Sequence, residues 1–140
     1  ANSGLVHSVE GTAANVHDVT QAHALLHGEE EVALGDAGYQ GVEKRAGNQD
    51  KPVQWFIAMR PGKRRLLKKG DEVDRMQEQL ERAKASIRSK VEHAFRVLKC
   101  QFGYRKVHYR GLAKNTAQLV TLFALVNLWT VRRQLLANAG

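Results

Sequence analysis

Residues 71–100 constrain the fold of this chain most strongly, because they predict one long helix. The stretch is dominated by Glu, Gln, Lys, Arg, Ala and Leu, which all favour helical backbone. Four apolar side chains recur along it at helical spacing and predict a face that packs on a sheet, namely Ile87, Val91, Ala94 and Leu98. With 140 residues in all, the chain forms one domain at most.

The first sixty residues predict an alternation of short strands and helices. Strand patterns occur at 5–9, 32–34 and 53–59, and helical patterns occur at 13–26 and 42–49. This rhythm is typical of an α/β layer. The sequence therefore predicts an α/β fold in which the long helix follows a small sheet.

A last helix is predicted to follow an irregular basic loop at 101–110. Asn115 or Thr116 could cap its start, and the helical pattern runs to about residue 136. Its segment 119–131 is apolar on nearly all sides, which predicts a buried core helix too short to span a bilayer.

Three further side chains are given structural roles by the sequence. Trp55 and Trp129 are assigned to the core, and Cys100 is expected to be buried or half-buried. Because Cys100 is the single cysteine, an internal disulfide and an all-cysteine zinc site are excluded.

Charge is divided unevenly along the chain. Residues 1–50 carry two positive and eight negative side chains, whereas residues 51–140 carry 20 positive and six negative ones. A polyanion binds to locally dense positive charge, so this division favours a nucleic-acid partner. The alternative is a basic face that is merely solvated.

The long helix carries a stripe of charged side chains. Arg88, Glu92, Arg96 and Lys99 fall on one helical face. A single carboxylate among cations usually forms only a ladder of ion pairs. A functional role for Glu92 requires a second carboxylate, and Asp36 is the candidate because it ends a predicted strand beside small residues.

Paired carboxylates would suit metal-dependent chemistry on nucleic acids. Phosphodiester cleavage and strand transfer use divalent cations that activate a water or a hydroxyl and stabilise the leaving oxygen. Mg²⁺ prefers oxygen ligands, and a few carboxylates suffice because water and phosphate fill the other positions. Asp36 and Glu92 are therefore the candidate metal ligands.

Three segments in order resemble bacterial insertion-sequence transposases of the DDE type. Residues 35–41, Gly-Asp-Ala-Gly-Tyr-Gln-Gly, look like the segment that carries the second catalytic aspartate of that family. The spacing of Arg88, Glu92 and Lys99 matches the signature around the third acidic residue, although Ala85 stands where a tyrosine usually begins it. Residues 3–16 and 91–115 also resemble the family, so the resemblance covers essentially the whole chain.

The resemblance implies an RNase H-like core in which an Asp-Asp-Glu triad holds two Mg²⁺ or Mn²⁺ ions. Residues 1–60 would form a strand and helix layer carrying Asp36, and residues 71–140 a helical part carrying Glu92. The first aspartate of the triad would lie on the strand that leads into Ser3 and Gly4, a few residues upstream of Ala1, and the first acidic residue of the chain is Glu10. We therefore expect this chain to be the C-terminal part of a catalytic domain, with a core truncated at its N-terminus. We also expect the chain to be inactive alone.

The same resemblance implies the partners. Double-stranded DNA, from the transposon ends and the target, would contact the positive side chains, and a second copy of the chain would join during the reaction. No membrane is expected, and the location would be the bacterial cytoplasm with the nucleoid. The candidate DNA-binding residues are Lys63, Arg64, Arg65, Arg88, Lys99, Arg105 and Lys106.

Two other interpretations stay open at this point. A catalytically dead remnant would bind only DNA or full-length transposase. A basic α/β domain that binds nucleic acid without transposase ancestry would require Asp36 and Glu92 to lie far apart.

Overall fold

The computed structural model describes residues 3–138, which combine helices with a small parallel sheet. The strands are β1, Val32–Gly35, and β2, Gln54–Ile57, and the α-helices are α1, Pro61–Arg64, α2, Glu72–Cys100, and α3, Leu112–Asn138. Three 3₁₀ helices occupy Asp18–Leu25, Ala37–Tyr39 and Val42–Lys44. This mixture agrees with the predicted α/β class.

The chain divides into two compact units, and the division falls inside α2. The sheet unit is Val16–Arg88, and the helical unit combines the chain up to Asn15 with the chain from Ser89 onward. Each unit has its own core, so each is described by itself.

The core of the sheet unit lies beside the two parallel strands. Val32 pairs with Gln54, and the register continues to Gly35 opposite Ile57. A buried cluster packs with three half-buried side chains and consists of Val19, Ala22 and Val42 with Tyr39, Trp55 and Ile57. The strands predicted at 32–34 and 53–59 and the assignment of Trp55 to a core are therefore confirmed.

The two helices predicted before β2 are present only as short 3₁₀ segments. His17, the residue before the segment Asp18–Leu25, offers no side-chain cap to it. The segment Val42–Lys44 ends at Arg45, whose backbone is extended and whose amide donates to the Val42 carbonyl at 3.2 Å. The side-chain amide of Asn48 donates to the same carbonyl at 3.1 Å. A continuing α-helix would use that carbonyl for its own ladder.

The core of the helical unit is the contact between α2 and α3. Phe95 and Phe123 meet edge to face with ring centroids 5.4 Å apart. The buried side chains are Ala94, Val97, Leu98, Phe123 and Val126. Of the predicted apolar face of α2, Ala94 and Leu98 are buried, whereas Ile87 and Val91 are exposed. The two buried side chains pack with Phe123 and Val126 of α3, so the prediction that this face packs on a sheet is wrong.

The segment predicted as a strand at 5–9 pairs with a helix side chain instead. Val6 and Val9 do pack against the helical core. Asn127 of α3 accepts from the Val6 amide at 2.8 Å and donates to the Val6 carbonyl at 2.7 Å. The strand prediction is wrong because one side-chain amide supplies the hydrogen bonds that a neighbouring strand would provide.

The last helix begins earlier and is more exposed than predicted. It begins at Leu112, so Asn115 lies inside it and bonds back to Tyr109 and Gly111. Of its described residues, only Phe123 and Val126 are buried. The predictions of a buried core helix and a core Trp129 are wrong, since Trp129 is 36% exposed with Arg132 over its ring. The burial predicted for Cys100 is also wrong, because this residue at the end of α2 is exposed.

The helix α3 is longer than the apolar segment 119–131 that the sequence predicts. The helix has 27 residues and contains a stretch of 18 residues that is apolar on average and mostly not buried. It is therefore long and apolar enough to cross a membrane by length and composition. Core helices of soluble proteins can have the same length and composition, so the expected lack of a membrane partner stays a prediction.

Replacing Asn127 by alanine tests the attachment of the N-terminal segment. We expect Asn127→Ala to lower the free energy of unfolding by about 1–3 kcal/mol, because both backbone groups of Val6 lose their partner in a partly buried place. Urea denaturation measures the change. Thr121→Ala is the matched control, since that exposed hydroxyl bonds only to Ala117 of its own helix. Equal losses in the two variants would contradict the assigned role of Asn127.

Candidate functional site

Asp36 lies directly after β1, at the carboxyl end of the small sheet. Its Oδ1 accepts a hydrogen bond from the Gly38 amide at 2.8 Å, which caps the 3₁₀ helix Ala37–Tyr39. The residue is exposed, and no salt bridge between described residues involves its carboxylate. A local turn therefore holds the carboxylate at a strand end, as the sequence predicted.

The glycine before Asp36 is required by close packing. A Cβ at Gly35 would lie 2.8 Å from the Ile57 Cδ1 and 3.1 Å from the Tyr39 Cβ. Burial of Tyr39, followed by the negative charges of Asp18 and Asp36, raises the pKa of its hydroxyl. The small residues beside Asp36 thus allow an aromatic ring to pack under the turn.

Asp36 opens onto a recess of about 370 Å³ in the sheet unit. Arg64 and Arg88 lie along the same recess, so the structure brings one predicted metal ligand together with two predicted DNA-binding residues. The remaining lining residues are Ala37, Gly38, Ala58, Met59, Pro61, Glu81 and Ala85. A single exposed carboxylate beside two guanidinium groups suits a bound cation together with a phosphate.

Glu81 in this recess is a buried acidic residue that the sequence did not single out. It is only 2% exposed, and its carboxylate accepts from Lys84 Nζ at 2.7 Å and from the Met59 amide at 2.8 Å. Burial acts to raise the pKa of Glu81, but the hydrogen bonds from Lys84 and Met59 outweigh it and leave the pKa lowered. Glu81 therefore stays ionised, and both of its carboxylate oxygens accept hydrogen bonds within the protein.

Arg64 is paired before any ligand binds. Its Nε and Nη2 donate to the two oxygens of Glu78, both at 2.8 Å, and Arg82 Nε donates to the same carboxylate at 3.1 Å. The hydrogen bonds from Arg64, and then from Arg82, lower the pKa of Glu78 to about 2. Glu78 thus neutralises part of the positive charge around it.

A second depression in the sheet unit, of about 450 Å³, is lined mainly by cations and is called the basic groove below. Its lining includes Arg64 and Arg65, two predicted DNA-binding residues, while Lys63 is exposed outside it. Its other lining residues are Leu67, Lys68, Lys69, Asp74, Arg75, Glu78, Gln79 and Arg82. Arg75 and Arg82 were missed by the sequence reasoning, although their spacing of seven residues puts them on one face of α2.

The predicted residues of the helical unit are all exposed. Glu92 and Lys99 project from α2, and no salt bridge found within residues 3–138 involves Glu92. The ladder of ion pairs, which is the structural alternative to a functional role of Glu92, is therefore not formed around this carboxylate. Arg105 and Lys106 lie in the irregular loop 101–110.

Comparison with known proteins decides the family. The sequence model of the family described as "Transposase DDE domain" matches residues 1–128. The chain belongs to the transposase DDE domain family. No solved structure matches it. The resemblance to DDE transposases is confirmed, DNA is the substrate that the family implies, and the interpretation without transposase ancestry is excluded.

Transposases of this type use divalent metals, and the described residues offer a partial ligand set. No group of three His, Cys, Asp or Glu side chains within residues 3–138 is arranged to hold a metal ion. Asp36 supplies the oxygen donor that Mg²⁺ prefers, whereas Glu81 is occupied by Lys84 and Met59. The chemistry of Asp36 therefore fits a metal, although the residues that the structure describes do not gather a complete ligand set around it.

The pH dependence of the Arg64–Glu78 pair provides a test of this part of the transposase domain. The pKa of Glu78, about 2, lies below its unperturbed value of 4.5. The pair therefore stabilises the fold fully above pH 4.5, and this stabilisation is lost as the pH falls toward 2. We expect the stability difference between wild type and Glu78→Gln to shrink across that window in urea denaturation. A difference that has vanished already at pH 4.5 would contradict the pairing.

Proposed function

We propose that this chain supplies two of the three metal-binding carboxylates of a DNA transposase, Asp36 and Glu92. The reaction would be divalent-metal-dependent cleavage and strand transfer on an RNase H-like core. The supporting observation is that Asp36 stands exposed at a strand end, with Arg88 in the same recess, in a member of the DDE family.

Divalent ions, when bound, would activate the attacking hydroxyl and stabilise the leaving oxygen. The residues of the chain prepare for this chemistry. The Gly38 amide fixes Oδ1 of Asp36, so the carboxylate is oriented before a metal arrives. Arg88 and Arg64 place positive charge along the same recess, where charge-assisted hydrogen bonds would hold a phosphate.

Glu92 and Lys99 would act from the helical unit. Both are exposed on α2, and the absence of a salt bridge to Glu92 in the described part of the chain leaves its carboxylate available to a metal. Lys99 would contact DNA, and Arg105 and Lys106 would contact the phosphate backbone from the neighbouring loop. A second copy of the chain is proposed as a partner on the basis of the family resemblance.

The second candidate function is DNA binding without chemistry. Ala85 favours it, because it stands where a tyrosine usually begins the signature and it lines the recess beside Asp36. A small side chain there removes whatever the tyrosine ring contributes. Under this alternative, the basic groove would bind DNA normally while Asp36 would bind no metal.

Replacement of Asp36 separates the two candidates. Mn²⁺ should broaden the backbone NMR signals of residues 36–38 in the wild type, and Asp36→Asn should weaken that binding by roughly tenfold or more, because a carboxylate ligand is lost. Asp50→Asn is the matched control, since Asp50 is another exposed aspartate of the sheet unit. Equal broadening in wild type and Asp36→Asn would contradict the metal role of Asp36.

The basic groove predicts where DNA binds the sheet unit. The double variant Arg75→Ala/Arg82→Ala should weaken duplex DNA binding by roughly tenfold and lower the salt slope of log K by about 1–2, since about two phosphate contacts are lost. Fluorescence anisotropy at several salt concentrations measures both quantities. The control is Lys44→Ala/Arg45→Ala, which removes two exposed cations outside the groove. Equal effects of the two doubles would show non-specific attraction.

A further inference from the structure

The end of β2 is held by hydrogen bonds on both of its edges. On one edge the Ala58 amide donates to the carbonyl of Gly35 in β1, at 2.9 Å. On the other edge Lys84 Nζ donates to the Ile57 carbonyl at 3.0 Å, and the Met59 amide donates to Glu81 at 2.8 Å. Successive residues of a strand direct their backbone groups to alternate edges, so Ile57 and Met59 share the edge opposite β1.

The two side chains of α2 therefore take the place of a third strand. Glu81 provides an acceptor and Lys84 provides a donor, which are the two groups that a neighbouring backbone would offer to this edge. The two side chains are also bonded to each other, at 2.7 Å, and both are buried. The hydrogen bonds thus connect α2 through β2 to Gly35, the residue that precedes Asp36.

We propose that Glu81 and Lys84 are positioning residues for the site at Asp36. They fix the carboxyl end of β2, which fixes Gly35 and the start of the Asp36 turn. They also fix the stretch of α2 that carries Arg88, four residues after Lys84, along the recess that Asp36 lines. The role of these positions in metal and DNA binding rests on the proposed function, whereas the fixing of the strand end by Glu81 and Lys84 does not.

Stability alone does not explain why Glu81 and Lys84 form a buried ion pair. Replacing a buried pair by apolar side chains is often neutral or stabilising, so a pair of this kind is weak evidence for stability alone. Here apolar replacements would leave the Ile57 carbonyl and the Met59 amide without partners. The pair is therefore explained by the geometry that it imposes on the strand end.

Native-state hydrogen exchange on the whole chain tests the proposal. Lys84→Met should accelerate exchange at Ala58 and Tyr39, whose amides bond to Gly35 and Asp36, by roughly tenfold relative to the Asn48 amide, as expected for one lost charge-assisted hydrogen bond. Glu81→Gln, a milder change that keeps an acceptor for Met59, should give the same pattern with a smaller effect. Lys84→Arg, which retains a charged donor, should restore wild-type rates.

Control and contrary outcomes are defined within the same unit. Glu72→Gln removes an exposed carboxylate from the first turn of α2 and should leave all three amides unchanged. Uniform acceleration that includes Asn48 would show a merely structural pair and overturn the proposal. Unchanged exchange at Ala58 and Tyr39 in both Lys84→Met and Glu81→Gln would overturn it as well.

A second measurement connects the positioning to the site. The Mn²⁺ concentration needed to broaden residues 36–38 should rise several-fold in Lys84→Met and return in Lys84→Arg; an unchanged concentration would count against the positioning of Asp36. Absence of broadening in the wild type would contradict the proposed function. In that case the exchange pattern still decides whether Glu81 and Lys84 hold the strand end.

Discussion

The parallel pairing of β1 with β2 is the constraint on which the candidate site depends. It places Asp36 and the segment Ile57–Met59 at the same end of the sheet, because both parallel strands have their carboxyl ends there. Two strands alone are marginally stable in water. The sheet unit supports them with the buried cluster around Val42 on one side and with the Glu81–Lys84 pair at the edge of β2.

The charges of the sheet unit are arranged at two levels of burial. Glu81 and Lys84 are buried and satisfied by each other and by the backbone, so they fix geometry rather than attract ligands. Asp36 is exposed, and its carboxylate accepts a hydrogen bond within its own turn. Arg64 is half-buried and is already paired with Glu78. A phosphate that binds Arg64 therefore competes with a carboxylate whose pKa is about 2. Arg88 has no salt bridge in the described part of the chain, so it is the more readily available cation in the recess.

The elements that local propensity determines were predictable from the sequence. The helix predicted over 71–100 agrees with α2 to within one residue, since most of its residues favour helix. β1 and the strand-end position of Asp36 followed from a short apolar run closed by small residues. The segment 5–9 shows the limit of this reasoning, because its apolar alternation is satisfied by Asn127 of a distant helix rather than by a strand. Periodicity predicts which side is buried but not which element covers it.

The candidate site was only partly predictable for a related reason. Asp36 was found from its place at the end of a predicted strand and Arg88 from the charged stripe and the family signature, and the structure brings them to one recess. Glu81 and Lys84 have the spacing of an ordinary surface pair on a helix. Only the approach of β2 to α2 makes them buried and gives their charges backbone partners. A residue that positions a site thus has no signature of its own in a single sequence, whereas a residue that carries the chemistry is recognisable by its type and place. The same distinction explains why Arg75 and Arg82 were missed, since their role depends on α1 and the following loop lying beside α2 along the basic groove.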